Sequence, residues 1–221
     1  ILLILIIFTS CMSIVYSGLF NTNYFEYLTY MSCSMIAWVW CGNILNTSGM
    51  VYVTNSSLLM EHPIEKEYLI WTHATHQIII FLHQMPLIIL YLSLGLIEFS
   101  INILYLIPSI LIMFCLNIGI SSTISLLVVR FRDFQKILTS LTIVIMVTTP
   151  IFWKAEMLTG IRKLAYELNP FYYMIEIIRA PLLGEIPTFK IYLISIILAI
   201  ISICIGTLMH KRYGKSIIFR M

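Results

Sequence analysis

The feature that most constrains this chain is a series of long runs without Asp, Glu, Lys or Arg: Ile1 to Leu19, Tyr27 to Leu45, Thr72 to Ile97, Ile101 to Val129, Ile137 to Trp153 and Ile191 to Met209. Each is long enough to cross the hydrocarbon core of a bilayer, which takes roughly 17–25 apolar residues. The chain is 60% hydrophobic and 10% charged, against about 25% charged in an average soluble domain. A water-soluble fold of this composition would expose large apolar patches and aggregate. The pattern therefore predicts an all-α integral membrane protein with six transmembrane helices, occupying residues 1–221 as a single membrane domain. No length remains for a soluble catalytic domain.

The charges that break the runs give the orientation. Arg130, Arg132 and Lys136 form a compact basic turn, and Lys211, Arg212, Lys215 and Arg220 form a basic tail. Basic residues in short connections mark the cytoplasmic side. An even number of crossings separates the two clusters, so both belong inside, and both termini are expected to be cytoplasmic. Ile1 falls within an apolar run, so an amphipathic helix on the cytoplasmic face is expected ahead of it. The net charge of +3 is a topology signal, and nothing resembles a nucleic-acid surface.

Between the spans lie two amphipathic stretches. Asn46 to Trp71 carries Glu61, His62, Glu65, Lys66 and Glu67 among Leu58, Leu59, Ile64, Tyr68 and Leu69; a helix in the interface plane fits this pattern. Lys154 to Lys190 mixes five basic and four acidic residues with Pro170, Pro181 and Pro187. There the spacing predicts two short helices that dip back into the outer leaflet. The first covers Met157 to Leu168, its apolar face made of Leu158, Ile161, Leu164 and Leu168. It ends at Asn169-Pro170, because proline disfavours helix at the residue before it. The second covers Phe171 to Ala180, with Glu176 and Arg179 placed to pair across one turn and Pro181 and Gly184 as stops.

Polar and aromatic side chains inside the spans are the candidates for function. His73, His76, Gln77, His83 and Gln84 fall on one stripe about 120° wide on an ideal helix. Polar groups in a membrane helix face protein or water, so the stripe is either a helix–helix seam or a pathway lining. Tyr16, Phe20 and Tyr30 crowd the link between the first two spans and Trp38 lies within the second. They read as an interfacial aromatic belt or as stacking platforms for sugar rings. Pro108, Asn117 and Gly119 mark kinks or close packing in the fourth span. The five cysteines (11, 33, 41, 115 and 204) lie in apolar runs without a C-x-x-C pair and read as buried free thiols.

Catalytic motifs are missing from the sequence. There is no H-E-x-x-H or G-x-S-x-G, and no catalytic or metal-ligating set is expected. Gly214-Lys215-Ser216 resembles the end of a phosphate-binding loop, but Met209 stands where that motif needs glycine.

Read in order, Arg130, Arg132, Asp133, then Thr149, Pro150 and Trp153, then Asn169-Pro170, then Arg179 to Glu185 resemble the membrane subunit of type-2 ABC polysaccharide exporters, which move O-antigen, capsule or teichoic acid chains. The resemblance implies a permease, not an enzyme, whose ATPase activity resides in a partner. No cofactor is expected in this chain; ATP and Mg would be bound by the ATPase. It implies two copies of this chain with two ATPase subunits, exporting a lipid-linked polysaccharide across the bacterial inner membrane. Under it Glu61, Glu65, Lys66, Arg130, Arg132 and Asp133 couple to the ATPase through an amphipathic cytoplasmic helix. Tyr16, Phe20, Tyr30, Trp38, His76, His83 and Gln84 line the translocation path. Trp153, Asn169, Pro170, Tyr172, Glu176 and Arg179 belong to an outer gate. Gln84 departs from the His-Asn pair of related permeases. The alternatives are a drug or lipid exporter of the same superfamily and a membrane-embedded His-dependent transferase.

Overall fold

The structure, a computed structural model, describes residues 2–61 and 64–214. His62 and Pro63 lie outside the described residues, as do Lys215, Ser216 and Arg220 of the tail; the interface helix expected ahead of Ile1 lies outside the chain. Among the described residues every regular element is helical. The helices are α1 (Leu2–Phe20), α2 (Tyr24–Thr47), α3 (Val51–Thr54), α4 (Ser56–Glu61), α5 (Lys66–Leu82), α6 (Met85–Ser93), α7 (Leu106–Arg130), α8 (Phe134–Thr148), α9 (Leu164–Glu167), α10 (Pro170–Leu182) and α11 (Phe189–Tyr213).

α2 is the axis of the bundle. Asn23 caps it by accepting the Phe25 N–H at 2.9 Å, and Asn21 makes the preceding turn in the left-handed region at φ 50°. Tyr27, Met31, Ile36, Trp40 and Ile44 are all buried along its length. α1, α5, α8 and α10 pack around it. The tightest pair is α7 and α11, and glycine is the reason. A Cβ on Gly119 would lie 2.4 Å from the Ser202 carbonyl carbon, and one on Gly206 would lie 3.0 Å from the Gly119 carbonyl oxygen. Small residues that let backbones meet are the usual adhesive between helices in lipid, where no hydrophobic force drives association.

Among the described residues five helical stretches are long and apolar enough to cross a membrane: Leu2–Phe20, Tyr24–Thr54, Lys66–Ser93, Ile101–Arg130 and Phe189–Tyr213. The run expected to make a further span, Ile137 to Trp153, yields α8, of 15 residues. That is about 22 Å of helix against a hydrocarbon core of about 30 Å. Thr149 ends it by turning extended at ψ 142°, the conformation that the following Pro150 imposes.

Three local expectations need correction. The stretch from Asn46 to Trp71 is not one amphipathic helix: a 3₁₀ turn (Ser48–Met50) and the short α3 and α4 follow α2, and α5 begins at Lys66. The third span holds as one apolar stretch, Lys66–Ser93, but it is not one unbroken α-helix: α5 ends at Leu82 and α6 starts at Met85 with Pro86 in its first turn. Met157 to Leu168 is not a helix either. Thr159 is extended and Gly160 sits at φ 60°, so 3₁₀ turns (Ala155–Met157, Gly160–Lys163) and the single-turn α9 replace it. Its intended apolar face stays on the surface, with Ile161 83% and Leu168 78% exposed. The second outer helix forms as α10, one residue earlier and two later than expected. Asn169 caps it through the Phe171 N–H at 3.0 Å, Pro170 opens it, Pro181 is tolerated in its last turn, and Gly184 stops it at φ 81°. Burial of thiols holds for Cys33 and Cys41 but not for Cys11 and Cys204, which are exposed.

Candidate functional site

The helices leave two polar ends. At one, α2, α8 and α10 meet. Arg179, on the buried face of α10, is 4% exposed. Its guanidinium donates to the Pro150 carbonyl at 2.6 Å, the Tyr30 hydroxyl at 2.8 Å and Ser34 Oγ at 3.2 Å. Its other terminal nitrogen pairs with Glu176, one turn earlier on α10. A planar guanidinium fixes the directions of five N–H donors, which suits a cation that must serve partners on several elements at once. Burial works against its charge, but the Glu176 carboxylate together with Tyr30 and Tyr172 outweighs that and holds the guanidinium above its ordinary value.

The same turn is held twice more. The Tyr30 hydroxyl donates to the Trp153 carbonyl at 3.0 Å. Asn169 donates to Thr149 Oγ1 at 2.8 Å while capping α10. The Thr149-Pro150 turn, Trp153, Asn169-Pro170 and Arg179, separated in sequence, thus converge on one structure. Above it opens a polar cavity of about 460 Å³ that Tyr30, Lys154, Tyr166, Tyr172, Glu176 and Arg179 help to line. The Tyr166 and Tyr172 rings meet edge to face at 4.9 Å, and Lys154 pairs with Glu26 at 2.7 Å. Burial, then the Glu176 carboxylate, pushes the Tyr172 hydroxyl above its ordinary range, so it stays a neutral donor. All six expected gate residues are in this neighbourhood: Trp153 packs on Tyr166 at 6.4 Å, and Pro170 starts the helix that carries Tyr172, Glu176 and Arg179.

The opposite end is basic and loosely paired. Arg130 closes α7, and Arg132, Asp133 and Lys136 follow at the surface, with Lys136–Asp133 at 3.0 Å fully in the open. Gln135 ties the start of α8 to the end of α2 through the Leu45 and Asn46 carbonyls at 3.2 and 2.9 Å. Glu61 ends α4, Glu65 precedes α5, and Lys66 donates to the Gly214 carbonyl. The expected coupling residues therefore share this end of the bundle.

Sequence reasoning missed a long-range chain at the basic end. The Tyr52 hydroxyl donates to His210 Nε2 at 2.7 Å, and His210 Nδ1 donates to Glu67 Oε1 at 3.1 Å. It joins α3, α11 and α5. Tyr52 and His210 are 158 residues apart, and no local pattern marks such a pair. Ser34, an acceptor for Arg179, was also missed; it looks like an ordinary small residue in a span.

The expected translocation residues do not form one surface. Tyr16 stacks between Phe20 and Tyr27 at 5.8 and 6.1 Å, filling the packing of α1 on α2. Trp38 is buried against Phe171. Tyr30 belongs to the Arg179 cluster. The histidine stripe divides: His73 bonds Thr47 at 2.8 Å and Ser121 at 3.3 Å, with Gln77 beside it, as a seam between α2, α5 and α7. His76 and His83 face outward. His83 instead bonds the Ile79 carbonyl at 2.8 Å, where α5 ends, and Gln84 is buried, bonding the Ile80 carbonyl at 3.2 Å.

The family described as "ABC-2 type transporter" matches residues 1–183, which reach from α1 to the end of α10. The chain belongs to the ABC-2 type transporter family. No curated protein matches it. An ABC-2 type chain is the membrane component of a transporter. That membership implies a partner ABC ATPase and a multi-pass membrane location, in keeping with the five long apolar stretches.

Proposed function

We propose that this ABC-2 type subunit exports a lipid-linked polysaccharide, O-antigen-like, across the bacterial inner membrane. It would act as two copies with two ATPase subunits that bind ATP and Mg. The observation that carries the cargo class is the cavity over α10. Three tyrosines border it with Lys154, Glu176 and Arg179. Tyrosine offers an apolar ring with a polar edge, which suits the flat faces and hydroxyl rims of sugars better than an apolar drug. The basic clusters favour Arg130 to Lys136 as the cytoplasmic end, which makes the Arg179 end the outer one. α8 would then be a sixth crossing, its exposed Ile137, Ile143, Val144 and Val147 shielded from lipid by the second copy. The segment 154–183, with Trp153 before it, would act as an outer gate, and Glu61, Glu65, Lys66, Arg130, Arg132 and Asp133 would receive the ATPase's motion.

The test is transport in vesicles holding this chain and its ATPase, with lipid-linked polysaccharide supplied on the ATPase side. ATP-dependent appearance of polymer in the lumen is expected. Movement of a drug or of phospholipid without polymer would assign the chain to the drug- or lipid-exporting members of the superfamily.

A further inference from the structure

At the basic end a lateral groove of about 420 Å³ lies between α5, α7 and α11. We propose that it binds one anionic membrane phospholipid, the acyl chain in the groove and the phosphate against Lys211. This goes beyond the transported cargo: the groove is at the opposite end of the bundle from the cavity over α10.

The depth of the groove is apolar, walled by Ile70 and Trp71 of α5, Cys115 and Ile118 of α7, and Ile203 of α11. The Thr207 hydroxyl on its wall is satisfied by the Cys204 carbonyl at 3.0 Å. From Ile203 to Lys211 the groove follows α11 for about 12 Å. Its polar and charged residues Glu67, His210 and Lys211 sit at the end where α5 begins and α11 finishes. Glu67 already takes the His210 N–H. Lys211 is exposed and has no ion-pair partner among the described residues. Lys66 donates to the Gly214 carbonyl just past α11, and Arg212 follows Lys211 in its last turn, so further cations belong to this end of the bundle. The helix faces beside the groove are apolar and open: Leu111 is 61%, Ile205 45% and Leu208 65% exposed. Such a surface meets lipid tails. An occupant must therefore have an apolar chain with an anionic head at one end, and basic pockets between membrane helices are the usual receptors for such heads.

Trp71 reports on the groove directly. The full complex is placed in phosphatidylcholine bilayers with increasing fractions of dibrominated phosphatidylglycerol or dibrominated phosphatidylcholine. The Trp71 signal is taken as the difference from Trp71→Phe. Half-quenching is expected at a several-fold lower fraction of the brominated phosphatidylglycerol, and Lys211→Glu should abolish that preference, with Lys211→Gln weakening it. Equal quenching by both lipids, a preference that survives Lys211→Glu, or a Trp71 that neither lipid reaches because a second copy covers it would each overturn the proposal.

Discussion

The two polar ends of this bundle are built on opposite rules. At the Arg179 end a buried cation holds three elements together, and every donor it directs inward finds a partner. At the Arg130 end the charges stand in solvent, and the Lys136–Asp133 pair of the turn is almost fully exposed. Removing one partner from a buried ion pair strands the other in a poor solvent for charge, whereas an exposed pair contributes little to stability. Charge at the first end therefore maintains the fold, and charge at the second is available to another protein. On the proposed reading, the Arg179 end is the one that stays closed and the Arg130 end is the one that the ATPase handles.

The largest effect expected follows from Arg179. Arg179→Gln leaves the half-buried Glu176 without its partner and frees the Thr149-Pro150 turn, and should cost about 3 kcal/mol, read as a clear fall in the thermal unfolding midpoint of the purified protein. Arg179→Lys keeps the charge but not the fork, and should recover only part of that loss. A midpoint unchanged by either substitution would erase the difference between the ends. A smaller effect is expected at Asn169, which caps α10 and bonds Thr149. Asn169→Ala should cost about 1 kcal/mol, the usual worth of a helix cap. At the basic end, Arg132→Glu or Asp133→Lys should change stability by less than about 1 kcal/mol. ATP hydrolysis should nonetheless lose its link to export in the assembled complex. Unchanged export would leave the turn as a topology signal only.

Much of this contrast could be read from the residues. Charge-free runs marked the long helices, because lipid allows no other use of such runs. Asn169-Pro170 fixed the start of α10 within a residue, since a capping side chain and a proline act locally. Glu176 and Arg179 were legible as a pair for the same reason. The failures came where tertiary context decides. Leu158, Ile161, Leu164 and Leu168 have helical spacing, yet Gly160 in the left-handed region breaks the helix and leaves Ile161, Leu164 and Leu168 outward. The histidine stripe assumed one straight helix, but the chain breaks at His83-Gln84, where Pro86 had already signalled a boundary. The Tyr52–His210–Glu67 chain and Ser34's bond to Arg179 join residues far apart in sequence, and nothing nearby announces them.

The exposed apolar residues of 155–168 sharpen the question of what this end does. If the segment is an outer gate between two copies, Ile161 and its neighbours are free to move against the partner. The most direct measurement places a single cysteine at Ile161 in a chain freed of its five native cysteines. A bifunctional thiol reagent joins the two copies in the complex with its ATPase, and export is followed in vesicles. Polymer export should stop on cross-linking and return when a cleavable linker is reduced. Full export with the two copies joined at this segment would contradict the account and leave 155–168 as a peripheral cap.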